Sequence, residues 1–178
     1  MLVNTRGFNL TELILTLFII ATLVTLAIPG LRSLINEIRV TIIAHEVENA
    51  LLLTRSEAIQ RNQPVTMEAI AGNWINGWTI QTHDGLLIRS HDSYRRQLSS
   101  LCSITFKHLP YFTYGGNGRL RSKNSPQQSQ NGTIFITSDN SQRQLILNLF
   151  GRIRHYHPAN PADCLNRDAD SHGYAAKP

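Results

Sequence analysis

The chain has 178 residues and a formal net charge of +5. An apolar fraction of 42% with 16% charged residues is typical of a globular protein and excludes a largely disordered chain. The positive charge is concentrated in segment 107–160, which has seven basic residues and one acidic residue, Asp139. Such a local excess favours an anionic partner, for which nucleic acid and a lipid surface are the usual candidates.

The N-terminal residues predict a membrane anchor that carries one unusual charge. A short basic head ends at Gly7, and the apolar run 13–28 is long enough, with its flanks, to span a bilayer. Glu12 stands at the start of this run, where an ionised carboxylate is costly and therefore indicates a function. No small-residue cleavage site closes the run as in a secretory signal. Arg6 is the only charge before the span, which predicts a cytoplasmic N-terminus.

The residues around Gly7 and Glu12 resemble the N-terminus of type IV pilins and pseudopilins. The usual form of that motif is Gly-Phe-Thr-Leu-Ile-Glu, from which this chain departs at Asn9 and Thr11. The resemblance implies that prepilin peptidase cleaves after Gly7 and that Phe8 becomes N-methylated. Glu12 would then be the fifth mature residue and would neutralise the terminal ammonium of a neighbouring subunit in a filament.

The same resemblance implies a type IV pilin-like α+β fold, with a long N-terminal helix packed on an antiparallel β-sheet head. Its parts would be a leader over 1–7, a transmembrane half-helix over 8–28, an amphipathic half-helix over 29–62, and a head with a C-terminal tail over 63–178. The protein would cross the inner membrane once, with its head in the periplasm, and reach the cell surface in an assembled pilus. Its partners would be other major and minor pilins, prepilin peptidase and the inner membrane.

The apolar pattern predicts one helix from about Leu10 to Arg61, bent but not ended at Pro29. Its apolar side includes Ile38 and Ile42 and continues, less strictly, through Val47, Ala50, Leu51 and Ala58. Segment 122–131 is rich in Ser, Gln and Asn and predicts an exposed, mobile loop. A hairpin is predicted at Asp84-Gly85. Strands are predicted over 65–70, 78–82, 86–90, 103–108, 132–137 and 144–150.

Cys102 and Cys164 are the two cysteines of the chain. Outside the cytoplasm two such thiols most simply pair with each other. The disulfide would close a loop of about 60 residues and stabilise the fold by roughly 4 kcal/mol in the chain-entropy model. The alternative is two unpaired thiols.

Gly151-Arg152-Ile153-Arg154 follows the last predicted apolar strand. Two arginines at i and i+2 of an extended segment point the same way, and guanidinium groups bind phosphate oxygens well. The motif resembles the Gly-Arg-x-Arg element of the FimT proteins, DNA-binding minor pilins of natural transformation. Trp74 and Trp78, in a Trp-x-x-Gly-Trp segment, resemble the same GspH/FimT family and are interpreted as packed side chains. Alternatively, the arginines solvate an edge strand or contact another pilin.

Further basic residues are weaker candidates for the same surface, provided that the fold brings them near Gly151. They are Lys107, Arg119, Arg121, Lys123 and Arg143.

The residues after Arg154 predict no metal site. His155 and His157 share one side of a strand, but no third ligand stands at a suitable spacing. Tyr156, between them, is interpreted as a packed side chain rather than one that stacks on a base.

The sequence contains no nucleotide-binding loop, nucleophile elbow or recognisable catalytic carboxylate pair, so an enzyme is disfavoured and no cofactor is predicted. The resemblance implies a minor type IV pilin that binds extracellular double-stranded DNA non-specifically and supports its uptake in natural transformation. The alternative is a structural pseudopilin that primes or caps a type IV pilus or a type II secretion pseudopilus without binding DNA. Attachment to anionic surfaces is a third reading of the same charges.

Overall fold

The computed structural model of the protein describes residues 9–105, 109–139 and 141–158. The chain divides into two compact units, Met1–Ile35 and Asn36–Pro178. Helix α1 spans Leu10–Arg61, which confirms the helix that the apolar pattern predicts.

The first unit contains the N-terminal part of α1. The carbonyl oxygen of Asn9 accepts hydrogen bonds from the amides of Glu12 and Leu13, at 3.0 and 3.2 Å, and so closes the first turn. The apolar side chains beyond this turn are exposed, and the helix is long and apolar enough to cross a membrane. Thr16 and Thr22 donate their hydroxyl groups to carbonyls three residues earlier, both at 2.8 Å, so these polar groups need no water.

In the second unit, the rest of α1 contributes one buried side to the core. Val40, Ile43 and Val47 are at most 2% exposed and stand at the three- and four-residue spacing of one helix face. Ile38 and Ile42 are 50% and 60% exposed, so their predicted place on the apolar side is wrong. Val40 lies two residues from each of them, and two residues turn a helix by about 200°. Between Ile38 and Ile42 the buried face is therefore roughly opposite to the expected one. The predicted continuation of the apolar side is confirmed, because its residues are at most 1% exposed: Val47, Ala50, Leu51 and Ala58.

In the described residues, the head forms two antiparallel sheets. The first has the strand order β3-β2-β1-β5-β6-β7 and the second the order β10-β9-β8-β4. Together with α1 they form the pilin-like α+β fold that the sequence predicts. The strands are β1 (Val65–Ala69), β2 (Trp78–Thr82), β3 (Leu87–His91), β4 (Ser100–Thr105), β5 (Tyr111–Tyr114), β6 (Leu120–Ser122), β7 (Ser125–Ser129), β8 (Gly132–Ser138), β9 (Ser141–Leu147) and β10 (Ile153–Tyr156).

One local prediction from the sequence, a hairpin, is correct, and another, a loop, is not. The hairpin at Asp84-Gly85 forms as predicted: Gly85 has a φ of +83° and donates its amide to the carbonyl of Thr82 at 3.1 Å. The predicted loop 122–131 is wrong, because it contains β7, which pairs with β6. β7 is an edge strand, and an edge tolerates both Pro126 and a run of polar residues.

Both tryptophans lie in the core of the head, which confirms their interpretation as packed side chains. Trp74 and Trp78 are 3% and 1% exposed. The indole of Trp74 donates to the hydroxyl of Ser103 at 2.7 Å, and that of Trp78 donates to the hydroxyl of Tyr94 at 3.0 Å. Since the chain has two tryptophans, their fluorescence reports on the folding of the head alone.

Candidate nucleic-acid interface

The turn that connects β9 to β10 presents the predicted arginines. Asn148 organises it: its side-chain oxygen accepts from the amides of Phe150 and Arg152 at 3.1 and 3.0 Å. The amide of Gly151 donates to the carbonyl of Asn148 at 2.9 Å. Gly151 has a φ of +77°, which favours glycine, so the glycine of the motif sets the direction in which the chain enters β10.

A second glycine turn packs directly against this one. A Cβ atom on Gly151 would lie 2.6 Å from the carbonyl oxygen of Gly118 and 2.8 Å from a ring carbon of Tyr114. The amide of Leu120 donates to the carbonyl of Leu149 at 3.1 Å. The two turns are thus in backbone contact, although more than thirty residues separate them in the sequence.

This contact brings Arg119 to the predicted site. Its guanidinium carbon lies 5.2 Å from the ring centroid of Phe150, a cation–π distance. Arg119 and the flanking arginines Arg152 and Arg154 are exposed. We call these three residues the arginine surface. Within 9–105, 109–139 and 141–158, no carboxylate lies within ion-pair distance of any of them.

Arg55 of α1 contacts both turns and is a site residue that the sequence did not indicate. Its guanidinium Nη1 donates to the carbonyl oxygen of Gly151 at 3.0 Å. Burial raises the pKa of the neighbouring Tyr114 above its ordinary value, and the charge of Arg55 opposes part of that rise. No pattern in the linear sequence indicates the contact, since Arg55 and Gly151 are 96 positions apart.

Two of the other candidates, Lys123 and Arg143, are paired with acids. Lys123 forms an ion pair of 2.7 Å with Glu68 of β1, and Arg143 one of 3.6 Å with Glu37 of α1. Arg121 lies opposite Thr113 of β5 and lines a polar pocket with Lys123.

The structure does not test the predicted processing site, the disulfide or the role of Glu12 in assembly. Lys107, Gly7, Phe8 and Cys164 lie outside the described residues, so the processing site and the disulfide stay predictions. Cys102 lies on β4, and Glu12 is exposed in the first turn of α1.

The strand β10 is the edge of its sheet and shows two different sides. Ile153 packs against the core, and His155 Nε2 lies 2.8 Å from the Glu48 carboxylate of α1. Arg154 and Tyr156 alternate with them and are exposed. Tyr156 is 50% exposed, so its interpretation as a packed side chain is wrong.

Residues 44–151 match the family model of the type II transport protein GspH. The match covers more than half of the chain, including strands β1 to β9 and both glycine turns. Arg152 and Arg154 lie immediately beyond it. No curated protein matches the chain.

Two crystal structures of the type IV minor pilin FimU from Pseudomonas aeruginosa PAO1 are similar to this protein. The first has 20% sequence identity and a TM-score of 0.52, and covers 69% of this chain and 95% of its own. The second crystal form has 20% identity and a TM-score of 0.49, with coverages of 67% and 97%. At this identity, the likeness to the first shows a common fold.

The fold and the family match both indicate a pilin-like protein. The long helix with antiparallel sheets is that of a type IV pilin-like protein. Since the family model spans most of the head, the chain belongs to the GspH family of pilin-like proteins.

Proposed function

We propose that this protein is a minor type IV pilin that binds extracellular double-stranded DNA non-specifically and supports its uptake in natural transformation. The observation that carries the proposal is the arginine surface. Arg119 and Arg152 come from two turns in backbone contact, and Arg154 follows on β10. All three are exposed, and none has a carboxylate partner among the described residues.

The chemistry of this surface suits a phosphate backbone. A guanidinium group presents several donors in a plane and binds phosphate oxygens in a bidentate manner. Contacts of this kind position a duplex without reading its sequence, which is what uptake of arbitrary DNA requires. Phe150, which is 50% exposed beneath Arg119, adds apolar surface but no sequence readout.

Hydrogen bonds order the turn beneath the surface. Asn148 fixes the amides of Phe150 and Arg152, and Arg55 binds the carbonyl of Gly151. Ordering the turn before binding reduces the entropy that binding must overcome. A preformed turn therefore loses little conformational entropy when a phosphate backbone binds to it.

The family and the apolar helix support the cellular setting of this proposal. Prepilin peptidase would remove 1–7, segment 8–28 would anchor the protein in the inner membrane, and 29–62 would connect it to the periplasmic head 63–178. Glu12 would pair with the new terminus of a neighbouring pilin during assembly, and Cys102 would pair with Cys164 in the exported head. The assembled filament would then present the arginine surface outside the cell.

A structural pseudopilin is the second candidate, and the family match favours it. The matched model is named for type II transport, and the match ends at Gly151, before both arginines of the motif. In this case the head primes or caps a pilus or pseudopilus through protein contacts. The arginines would then serve an interface with another subunit, and the head would have no affinity for DNA.

DNA binding by the full chain in detergent micelles separates the two candidates. Fluorescence anisotropy with a labelled duplex, at low and moderate salt, would compare the natural chain with an Arg152→Gln/Arg154→Gln variant. We expect the double variant to bind at least about tenfold more weakly. The slope of log affinity against log salt should fall by about 0.9 for each phosphate that the variant no longer neutralises.

Lys123→Gln is the matched control, because it also removes a positive charge but from an existing ion pair with Glu68. Its DNA affinity should stay within about twofold of the natural chain. Tryptophan fluorescence checks the folding of every variant. If the folded natural chain does not bind DNA, or if the double variant binds equally well, the structural pseudopilin is the better description.

A further inference from the structure

Three potential metal ligands converge where β10 meets α1. His45 Nδ1 lies 3.3 Å from Glu48 Oε2, and His155 Nε2 lies 2.8 Å from the same oxygen. All three atoms lie within 4.8 Å of one another. We propose that His45, Glu48 and His155 form a binding site for Zn²⁺ or a similar transition-metal ion. This inference does not depend on the binding of DNA.

The spacing of the ligand atoms fits such an ion. Zinc–nitrogen and zinc–oxygen bonds of about 2.0 to 2.2 Å place the ligands of a tetrahedral site roughly 3.3 to 3.6 Å apart. The His45–Glu48 distance of 3.3 Å already meets this value. The His155–Glu48 distance of 2.8 Å is shorter and would open by a small rotation of the side chains.

The three ligands come from two elements, α1 and β10. His45 and Glu48 stand at i and i+3 of α1, which places them on neighbouring positions of one helix face. His155 comes from β10, whose pairing with β9 places it opposite Leu145. The rings of His45 and His155 have centroids 5.0 Å apart. A bound ion would therefore connect the first helix to the edge strand of the second sheet.

The ligand types select the class of ion. Imidazole nitrogen suits zinc, copper, nickel and iron, whereas calcium and magnesium prefer sites made of oxygen atoms. The side chains of His45, Glu48 and His155 are 61%, 23% and 32% exposed, so a fourth position is open to water. Three protein ligands with one open position are sufficient for zinc.

The linear sequence does not indicate this site, because its ligands come from distant segments of the chain. His157 is two residues from His155 but does not belong to the cluster. The other two ligands lie 110 and 107 positions away, since they are at 45 and 48. His157 is therefore a natural control: a neighbouring exposed histidine in the same strand region that should not affect binding.

The test is metal binding by the full chain in detergent micelles, purified without a polyhistidine tag and stripped with a chelator. Co²⁺ would be titrated and followed by its visible absorption, and Zn²⁺ would be measured by competition with a chromogenic chelator. We expect saturable binding of a single Co²⁺ that Zn²⁺ displaces. Even the loss of an outer-shell partner typically weakens metal binding about 10- to 100-fold. His45→Ala should therefore weaken it at least about tenfold, and His157→Ala should leave it unchanged.

A second variant and a second measurement guard against a misfolded protein. Glu48→Gln keeps the shape of the side chain but removes its charge, and it should also weaken binding at least about tenfold. Zn²⁺ should raise the midpoint of tryptophan-detected thermal unfolding in the natural chain but not in either variant. The proposal is overturned if the folded natural chain binds no Zn²⁺. It is equally overturned if His45→Ala and Glu48→Gln, both folded, bind Zn²⁺ as tightly as the natural chain.

Discussion

Two groups of basic residues come from the same positively charged stretch of sequence and end in different environments. Arg119 and Arg152, on adjoining turns, and Arg154, on β10, are exposed without a carboxylate partner among the described residues. Lys123 and Arg143, in contrast, form ion pairs with Glu68 and Glu37. A count of charges along the chain treats the two groups as equal. The fold distinguishes them, because acids from β1 and α1 neutralise the second group only.

The difference depends on the glycine turns. A Cβ atom on Gly151 would lie 2.6 Å from the Gly118 carbonyl oxygen, so the two turns leave no room for a side chain at Gly151. Arg119 and Arg152 stand directly beside these glycines and are exposed, as is Arg154 on β10. Changes to the glycine turns should reduce the free energy of unfolding most strongly. Changes to the first group should weaken DNA binding, and changes to the second group should have the smallest effect on it.

The largest effect is expected for Gly151→Ala. A left-handed backbone costs a non-glycine residue about 1 to 2 kcal/mol, and the new Cβ would be 2.6 Å from the Gly118 carbonyl oxygen. Overpacking of this kind adds about 1 to 3 kcal/mol. The free energy of unfolding of the head should fall by about 2 to 5 kcal/mol in total, measured by urea denaturation with tryptophan fluorescence.

Gly85→Ala provides the comparison for that experiment. Gly85 has a φ of +83°, but nothing lies within 4 Å of a Cβ built on it. The alanine should therefore cost about 1 to 2 kcal/mol, the backbone contribution alone. Equal losses for the two variants would mean that the contact between the Gly118 and Gly151 turns is looser than the structure shows.

A smaller effect is expected for Arg119→Gln. If Arg119 shares a DNA surface with Arg152 and Arg154, the substitution should weaken DNA binding about threefold to tenfold. The salt slope should also fall by about 0.9. Anisotropy titrations over a range of salt concentrations measure both quantities.

Arg143→Gln removes the same charge from a residue of β9 that is paired with Glu37 of α1, so it serves as the control. Its salt slope should match that of the natural chain. A reduction of both slopes by the same amount would show that DNA responds to the overall charge of the head, and the distinction between the two groups would not hold.

Much of the fold could be predicted from the sequence because its signals are local. The helix over Leu10–Arg61 follows from a long apolar periodicity, and the β2–β3 hairpin follows from Asp84-Gly85. Strand β7 could not be predicted, because its polar residues carry no alternating pattern and it exists only by pairing with β6. Ile38 and Ile42 match a helical period but not the face that the sheets cover.

The candidate site was predictable only in part, because local motifs can be found in a sequence and tertiary contacts cannot. Arg152 and Arg154 stand in a short motif at i and i+2, and both are exposed. The places of Arg55 and Arg119 depend on tertiary contacts, in which α1 and the Gly118 turn meet the Gly151 turn. Contacts between distant segments leave no periodic trace in a single sequence.

The smallest effect is expected for Glu68→Gln, which releases Lys123 from its ion pair. The two side chains are 31% and 42% exposed, and an ion pair this exposed contributes only about 0 to 1 kcal/mol to stability. The variant gains one unit of positive charge, so an interface that responded to overall charge would bind DNA more tightly. We expect less than about a twofold change in affinity, because a single distant charge is largely screened at moderate salt. A severalfold gain in the anisotropy titration would place Lys123 within the DNA surface, and the surface would then extend from the glycine turns to the β6–β7 hairpin.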